Sequence, residues 1–266
     1  MKEKEVVIIT GASRGIGHAA AALFLEKGYT VYALSRSFCD IQEVHSVNCD
    51  VTNGVMLKEV IDSIFATEQR IDILVNNAGG GISGAVEKTA PADARKLFAL
   101  NFFAHFEVIK YVTPHMRSRK CGKIINIGSV AGSMHVPFQA FYSASKAALE
   151  ALSNCLRGEL APFGIKVTTI MPGDTRTGFT DAREKDFEEN DADYGSRISR
   201  SIKLMEEDER NGMMPEAVAR LIYKATISRN PKPVYIVGFK YNFFMLLNKL
   251  MPKSFVQFVL NVMYAK

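Results

Sequence analysis

The segment Val6–Gly17 (VVIITGASRGIG) limits the fold more than any other part of the chain. Its first five residues are all β-branched, with no polar alternation between them. An apolar run this short and continuous suits a strand buried on both faces. Glycines follow at once, then an Ala/Leu-rich stretch from about Gly15 to Lys27, and Gly28 stands where a helix stop belongs. The unit recurs. Strands are expected at Thr30–Leu34, Val44–Asn48, Ile71–Asn76, Lys123–Ser129, Ile165–Met171 and Pro233–Val237. Helices are expected at Asn53–Glu68, Pro91–Met116, Phe141–Pro162 and Val218–Ser228. This alternation gives βαβ units and a parallel sheet, and right-handed crossovers put helices on both its faces.

The expected fold class is therefore α/β, a doubly wound parallel sheet (Rossmann fold) in a single domain spanning 1–266, with a C-terminal helical extension. Such sheets bind ligands beyond the carboxyl ends of their strands, so the loops after Thr10, Leu34, Asn76, Ser129 and Met171 should line the site. A length of 266 residues, 47% of them hydrophobic, supports one sizeable core without a second domain. The net charge of +5 is mild, and no Lys/Arg block is long enough to follow a nucleic-acid backbone, so no nucleic-acid partner is expected. Cys39, Cys49, Cys121 and Cys155 form no C-x-x-C pair, and neither they nor the histidines have metal-ligand spacing. Free thiols and the lack of a signal-like start lead to a cytoplasmic expectation with no metal.

Thr10–Gly17 follows a strand and opens a helix. Its spacing is Gly-x-x-x-Gly-x-Gly, which differs from the G-x-G-x-x-G fingerprint. Glycine lets the backbone approach a phosphate closely, and the helix N-terminus behind it favours an anion. Gly11, Ser13, Arg14, Gly15, Ile16 and Gly17 are the cofactor-binding residues expected in this turn.

TGASRGIG at 10–17, NNAG at 76–79, Ser129 thirteen residues before Tyr142, YSASK at 142–146, Asn101 and Pro172–Gly173 occur in that family's order and resemble the short-chain dehydrogenase/reductase family, with hydroxysteroid dehydrogenase-like members in view. The resemblance runs from Thr10 to about Thr177; the last third matches no motif. It implies a nicotinamide cofactor held further by Asp50, Val51, Asn77, Ala78, Gly79, Lys146, Pro172, Gly173, Thr175 and Thr177. An acidic residue at the end of the second strand would bind the ribose 2′-hydroxyl and favour NAD. Ser35-Arg36 stands there instead, and a guanidinium forks onto a 2′-phosphate, with Arg14 able to join it. NADP(H) is the expected cofactor.

Tyr142 and Lys146, four apart on a helix, share one face. A nearby ammonium lowers a phenol's pKa from its ordinary value of about 10. By resemblance, Tyr142 exchanges the proton of a ketone/alcohol oxygen and Ser129 hydrogen-bonds that oxygen. Lys146 steadies the phenolate, and Asn101 helps a water relay reach Lys146. The activity implied is interconversion of a ketone and a secondary alcohol by hydride transfer, as a carbonyl reductase or hydroxysteroid dehydrogenase would perform it. A non-catalytic NADPH sensor and a membrane-surface lipid carbonyl reductase are the alternatives.

Apolar Met134, Val136, Pro137 and Phe138 suggest a lipophilic small-molecule substrate. Residues 177–213, too long for an ordinary loop, are the expected lid. The apolar extension 240–266 has three open roles: packing within the assembly, ranked first, lying on a membrane surface, or capping the pocket. The resemblance implies a homodimer or homotetramer joined through the helices near Leu97–Met116 and Phe141–Leu160.

Overall fold

A computed structural model describes residues 4–185 and 188–265. Residues 1–3, Asp186 and Phe187 of the expected lid, and Lys266 of the expected extension lie outside the described residues.

The central sheet contains β1 (Val6–Thr10), β2 (Thr30–Ser35), β3 (His45–Asn48), β4 (Ile73–Asn76), β5 (Gly122–Ile127), β6 (Ile165–Met171) and β7 (Val234–Ile236). Their order is β3-β2-β1-β4-β5-β6-β7, every pair parallel. Chain order reverses between β1 and β4, the switch point where such sheets open a ligand crevice.

The helices are α1 (Gly15–Glu26), α2 (Gly54–Glu68), α3 (Pro91–Phe98), α4 (Ala104–Ser118), α5 (Ala140–Leu160), α6 (Arg197–Arg210), α7 (Pro215–Ile227), α8 (Phe239–Leu250) and α9 (Lys253–Tyr264). Alternate residues of β1 point to opposite faces, as strand geometry requires. Val6 and Ile8 join Leu57 and Ile61 of α2 and Val108 and Val112 of α4. Val7 and Ile9 join Ala20 and Phe24 of α1 and Val218 and Ile222 of α7. Helix α1 stops as its sequence requires. Gly28 takes φ +83, its N–H reaches Leu25 O at 2.9 Å and Tyr29 N–H reaches Phe24 O at 3.1 Å, closing a Schellman cap.

Three elements differ from expectation. The helix expected over Pro91–Met116 is broken by a π-helical turn, Ala99–Phe103. Such turns insert a residue into the helical ladder and often occur at functional sites; this one carries Asn101. The expected strand through Ser129 ends at Ile127, freeing Ser129 to cap a short 3₁₀ turn, Val130–Gly132. The expected lid contains α6, and residues 184–185 within it pair in parallel with Ile82–Ser83, tying it to the loop after β4.

Candidate active site

Loops at the carboxyl ends of β1, β2, β4, β5 and β6 meet at one cavity of about 970 Å³. The first wall is the glycine turn. Gly11 and Gly15 take φ +65 and +60, a region open to glycine, and a Cβ on Gly11 would lie 2.8 Å from Ala78 Cα. Arg14 gives α1 no side-chain cap, and the first turn has no acidic residue. An uncapped helix N-terminus facing the cavity fits a pyrophosphate. Ser13, Arg14, Gly15 and Ile16 line the cavity; Gly17 does not. A Cβ on Gly17 would overlap Gly11 O and lie 2.6 Å from Asn77 Nδ2, so this glycine permits close packing behind the turn in place of the contact expected of it.

Asn77 straps the turn from behind, its Nδ2 donating to Thr10 O and Gly11 O at 3.0 Å each. Thr10 Oγ1 accepts from the backbone N–H groups of Asn77 and Ala78. Ala78 and Gly79 line the cavity beside them, as do Pro172, Gly173, Thr175 and Thr177 after β6.

At the adenosine end lie Ser35, Arg36, Asp50 and Val51. Ser35 Oγ donates to Ser37 O at 2.6 Å. Asp50 Oδ1 accepts from the Thr52 hydroxyl at 2.7 Å and the Thr52 N–H at 2.9 Å, bonds that lower its pKa. Neither Arg14 nor Arg36 has an ion-pair partner among the described residues. The unpaired Arg36 guanidinium at this end fits a 2′-phosphate, while the Arg14 side chain lies against Gly178.

At the other end Ser129, Tyr142 and Lys146 line the same cavity. Lys146 is buried, donates to Ile127 O at 2.9 Å, and holds Nζ 6.0 Å from the Tyr142 ring centre. Burial pushes the Lys146 pKa down to about 8. Burial pushes the Tyr142 phenol up to about 12, opposed by a hydrogen bond from Ser129. The expectation that Lys146 lowers the phenol is not met within the chain itself. Desolvation disfavours both charged forms more than the pair recovers at this separation.

Asn101 lies behind the cavity instead of lining it. Its Nδ2 donates to Gly80 O at 3.0 Å and Ser145 Oγ at 3.1 Å, and its Oδ1 accepts from Gly80 N–H at 2.9 Å. With these groups engaged, the side chain fixes the Gly80 backbone, next to the Gly79 that lies beside Lys146. His105, one turn on, is buried and held neutral, its pKa pushed down to about 3 by burial; Nε2 meets Ala78 O at 2.6 Å.

Sequence reasoning named the segments of the roof but none of its residues. Phe179 of the lid lies with its ring 5.6 Å from that of Tyr142. Behind it, Arg183 pairs with Glu209. Helices α8 and α9 fold back over the cavity. Tyr241 donates to Asp174 Oδ2 and accepts from Asp174 N–H, Asn248 Nδ2 reaches Ser133 O at 3.2 Å, and Tyr264 OH donates to Asp208 Oδ2 at 3.1 Å. Gly173 leaves room for the Tyr241 ring, which a Cβ there would overlap. The inner faces of the extension therefore cap the cavity, the role ranked behind assembly packing. Two apolar stripes on α8 were the available signal. Among the described residues no helix is long and apolar enough to cross a membrane, and no group of three or more potential metal ligands occurs.

The short chain dehydrogenase family model matches residues 5–188. The chain is 38% identical over 266 residues to a 3-ketodihydrosphingosine reductase of Bacteroides thetaiotaomicron, covering 99% of each protein. It is 29% identical to an NADPH-dependent 3-dehydrocapnine reductase of Ornithobacterium rhinotracheale, covering 93% of this chain and 95% of the other. A short-chain dehydrogenase structure from Streptomyces avermitilis superposes with TM-score 0.84 at 29% identity, covering 94% of both chains. With this fold, this ordered set of loops and these matches, the chain belongs to the short-chain dehydrogenase family.

Proposed function

We propose that this protein is an NADPH-dependent reductase of a lipophilic ketone, with a long-chain lipid ketone favoured over a hydroxysteroid. The observation that carries the reading is one continuous cavity. It runs from the uncapped α1 N-terminus, past Ser129, Tyr142 and Lys146, to an apolar end lined by Phe244, Leu247, Phe255 and Val259. The names of the two relatives, one of them NADPH-dependent, support the same reading.

When bound, NADPH supplies a hydride to the carbonyl carbon. The α1 N-terminus would hold its pyrophosphate, Arg36 with Arg14 would hold the 2′-phosphate, and Lys146 would meet the nicotinamide ribose. Ser129 donates to the carbonyl oxygen and steadies the negative charge that develops there. Tyr142 gives that oxygen its proton. Lys146, with a pKa near the working pH, is suited to return a proton to the phenolate. Phe179 and the α8–α9 cap exclude water from the reacting atoms.

The test is NADPH absorbance in the presence of long-chain keto lipids, hydroxysteroids and simple diketones, with NADH run in parallel. Consumption with the keto lipids and NADPH is expected. Tight NADPH binding with no consumption on any ketone would mark a sensor instead. Arg36→Asp is expected to weaken NADPH by about 10- to 100-fold, the worth of a charge-assisted hydrogen bond, and to spare NADH. Titrating both cofactors checks it.

The functional form is a homodimer or homotetramer, paired through the face where Phe103 and Phe106 are exposed at the start of α4. A monomer by light scattering at micromolar concentration would refute this.

A further inference from the structure

We propose that the outer faces of α8 and α9 dock on an anionic lipid bilayer, holding the cavity's apolar end at the membrane surface. The proposal rests on the lipophilic-ketone reading and adds the route by which such a substrate arrives.

Each helix is apolar on two sides. Tyr241, Phe244 and Leu247 of α8 line the cavity. Phe239, Phe243, Leu246 and Leu250 follow at i, i+4, i+7 and i+11, which places them along one outer stripe. They are 89, 50, 53 and 69% exposed. On α9, Phe258 and Val262 continue the outer surface at 62 and 39%. Six large apolar side chains on adjoining helices make a patch that a protein surrounded only by water rarely carries.

The charge selects the occupant. Residues 239–266 contain no Asp or Glu, while Lys240, Lys249 and Lys253 flank the apolar stripes. A basic, acid-free amphipathic surface complements an anionic bilayer. A second copy of the chain suits it poorly. A two-fold contact sets the same patch against itself, so lysine would meet lysine with no carboxylate of the segment to offset it. Each helix has 12 residues, too few to span a bilayer, so the pair lies in the plane of the interface. With inner stripes on the cavity and outer stripes in lipid, a ketone of low water solubility passes from bilayer to cavity without crossing bulk water.

The test is cosedimentation of the full-length protein, with NADPH present, on vesicles of phosphatidylcholine alone and of phosphatidylcholine with phosphatidylglycerol. Binding to the anionic vesicles, weakened by salt, is expected. The triple variant Phe239→Ser/Leu250→Ser/Phe258→Ser should lower the partition coefficient at least about tenfold, because three apolar side chains leave the lipid. Lys249→Gln/Lys253→Gln should lower it about fivefold per lysine on anionic vesicles only. Both variants should keep wild-type turnover of a short, water-soluble ketone. Absence of wild-type binding to anionic vesicles overturns the proposal, as does binding that neither variant weakens. So does a triple variant that becomes a smaller oligomer while its vesicle binding stays unchanged, which would assign the face to a second copy. Sedimentation reads binding without turnover, so a failed reductase assignment would not pass for failed docking.

Discussion

Replacing Tyr142 with Phe is expected to lower kcat for ketone reduction by about 10²- to 10⁴-fold, the usual worth of a positioned general acid. NADPH affinity should be unchanged. The ring stays, with its packing against Phe179, and only the hydroxyl is lost. Folding stability should move by no more than about 1–2 kcal/mol, the net worth of a hydrogen bond. Equal falls in kcat and kcat/KM would mark an interaction made only in the transition state. The pH profile follows from the raised phenol. Burial holds the Tyr142 pKa at about 12, so the acid form needed for reduction persists through neutral and mildly alkaline pH. Oxidation of the alcohol needs the phenolate, so its rate should climb with pH across the same range. Steady-state rates in both directions, with a fluorescence titration of NADPH, check this. Wild-type kcat in the Phe variant would transfer the proton to another group.

Replacing Lys146 with Met is expected to stop turnover and yet stabilise the fold. Enclosure lowers the ammonium's pKa from 10.5 to about 8. The folded state therefore binds fewer protons than the unfolded state between those values. Stability in the wild type should rise with pH from about 8 to 10.5, and the full cost of the buried charge falls below about 8. That shift corresponds to a cost on the order of 3 kcal/mol at neutral pH. Methionine fits a similar volume and carries no charge, so the variant should recover much of this cost and lose the pH dependence. Urea denaturation at neutral and alkaline pH measures both effects. A Met variant less stable than wild type at neutral pH, or one with the same alkaline rise, would refute the account of a costly buried ammonium. Gain of stability with loss of activity is the usual mark of a group kept for chemistry.

The strand–turn–helix units could be read from sequence because their determinants are local. Five β-branched residues made β1, and Gly28 closed α1 at the expected residue through its positive φ. The cofactor loops were legible for the same reason, since a sheet topology known from alternation fixes which loops share an edge. The π turn at Asn101 was not legible: nothing in ALNFF distinguishes it from α-helix, and the turn forms where Asn101 bonds Gly80 and Ser145, distant in sequence. The direction of the Tyr142 shift was missed because spacing reveals the neighbouring charge but not the depth of burial. Capping stayed one of three open roles because Tyr241–Asp174, Asn248–Ser133 and Tyr264–Asp208 join residues 56 to 115 positions apart. Composition identified the extension as apolar; only docking separated its two faces.

The most direct test of the central claim is a homologous series of ketones of increasing chain length, assayed with purified protein and NADPH at the nicotinamide absorbance band. If the cavity takes a lipophilic ketone beneath the α8–α9 cap, kcat/KM should rise about fourfold per added methylene until the apolar end is filled, as expected from about 0.8 kcal/mol per buried CH₂. One alcohol should form per NADPH consumed, and the Tyr142→Phe variant should form none at a comparable rate. NADPH that binds but is consumed with no ketone, or a kcat/KM indifferent to chain length, would contradict the account.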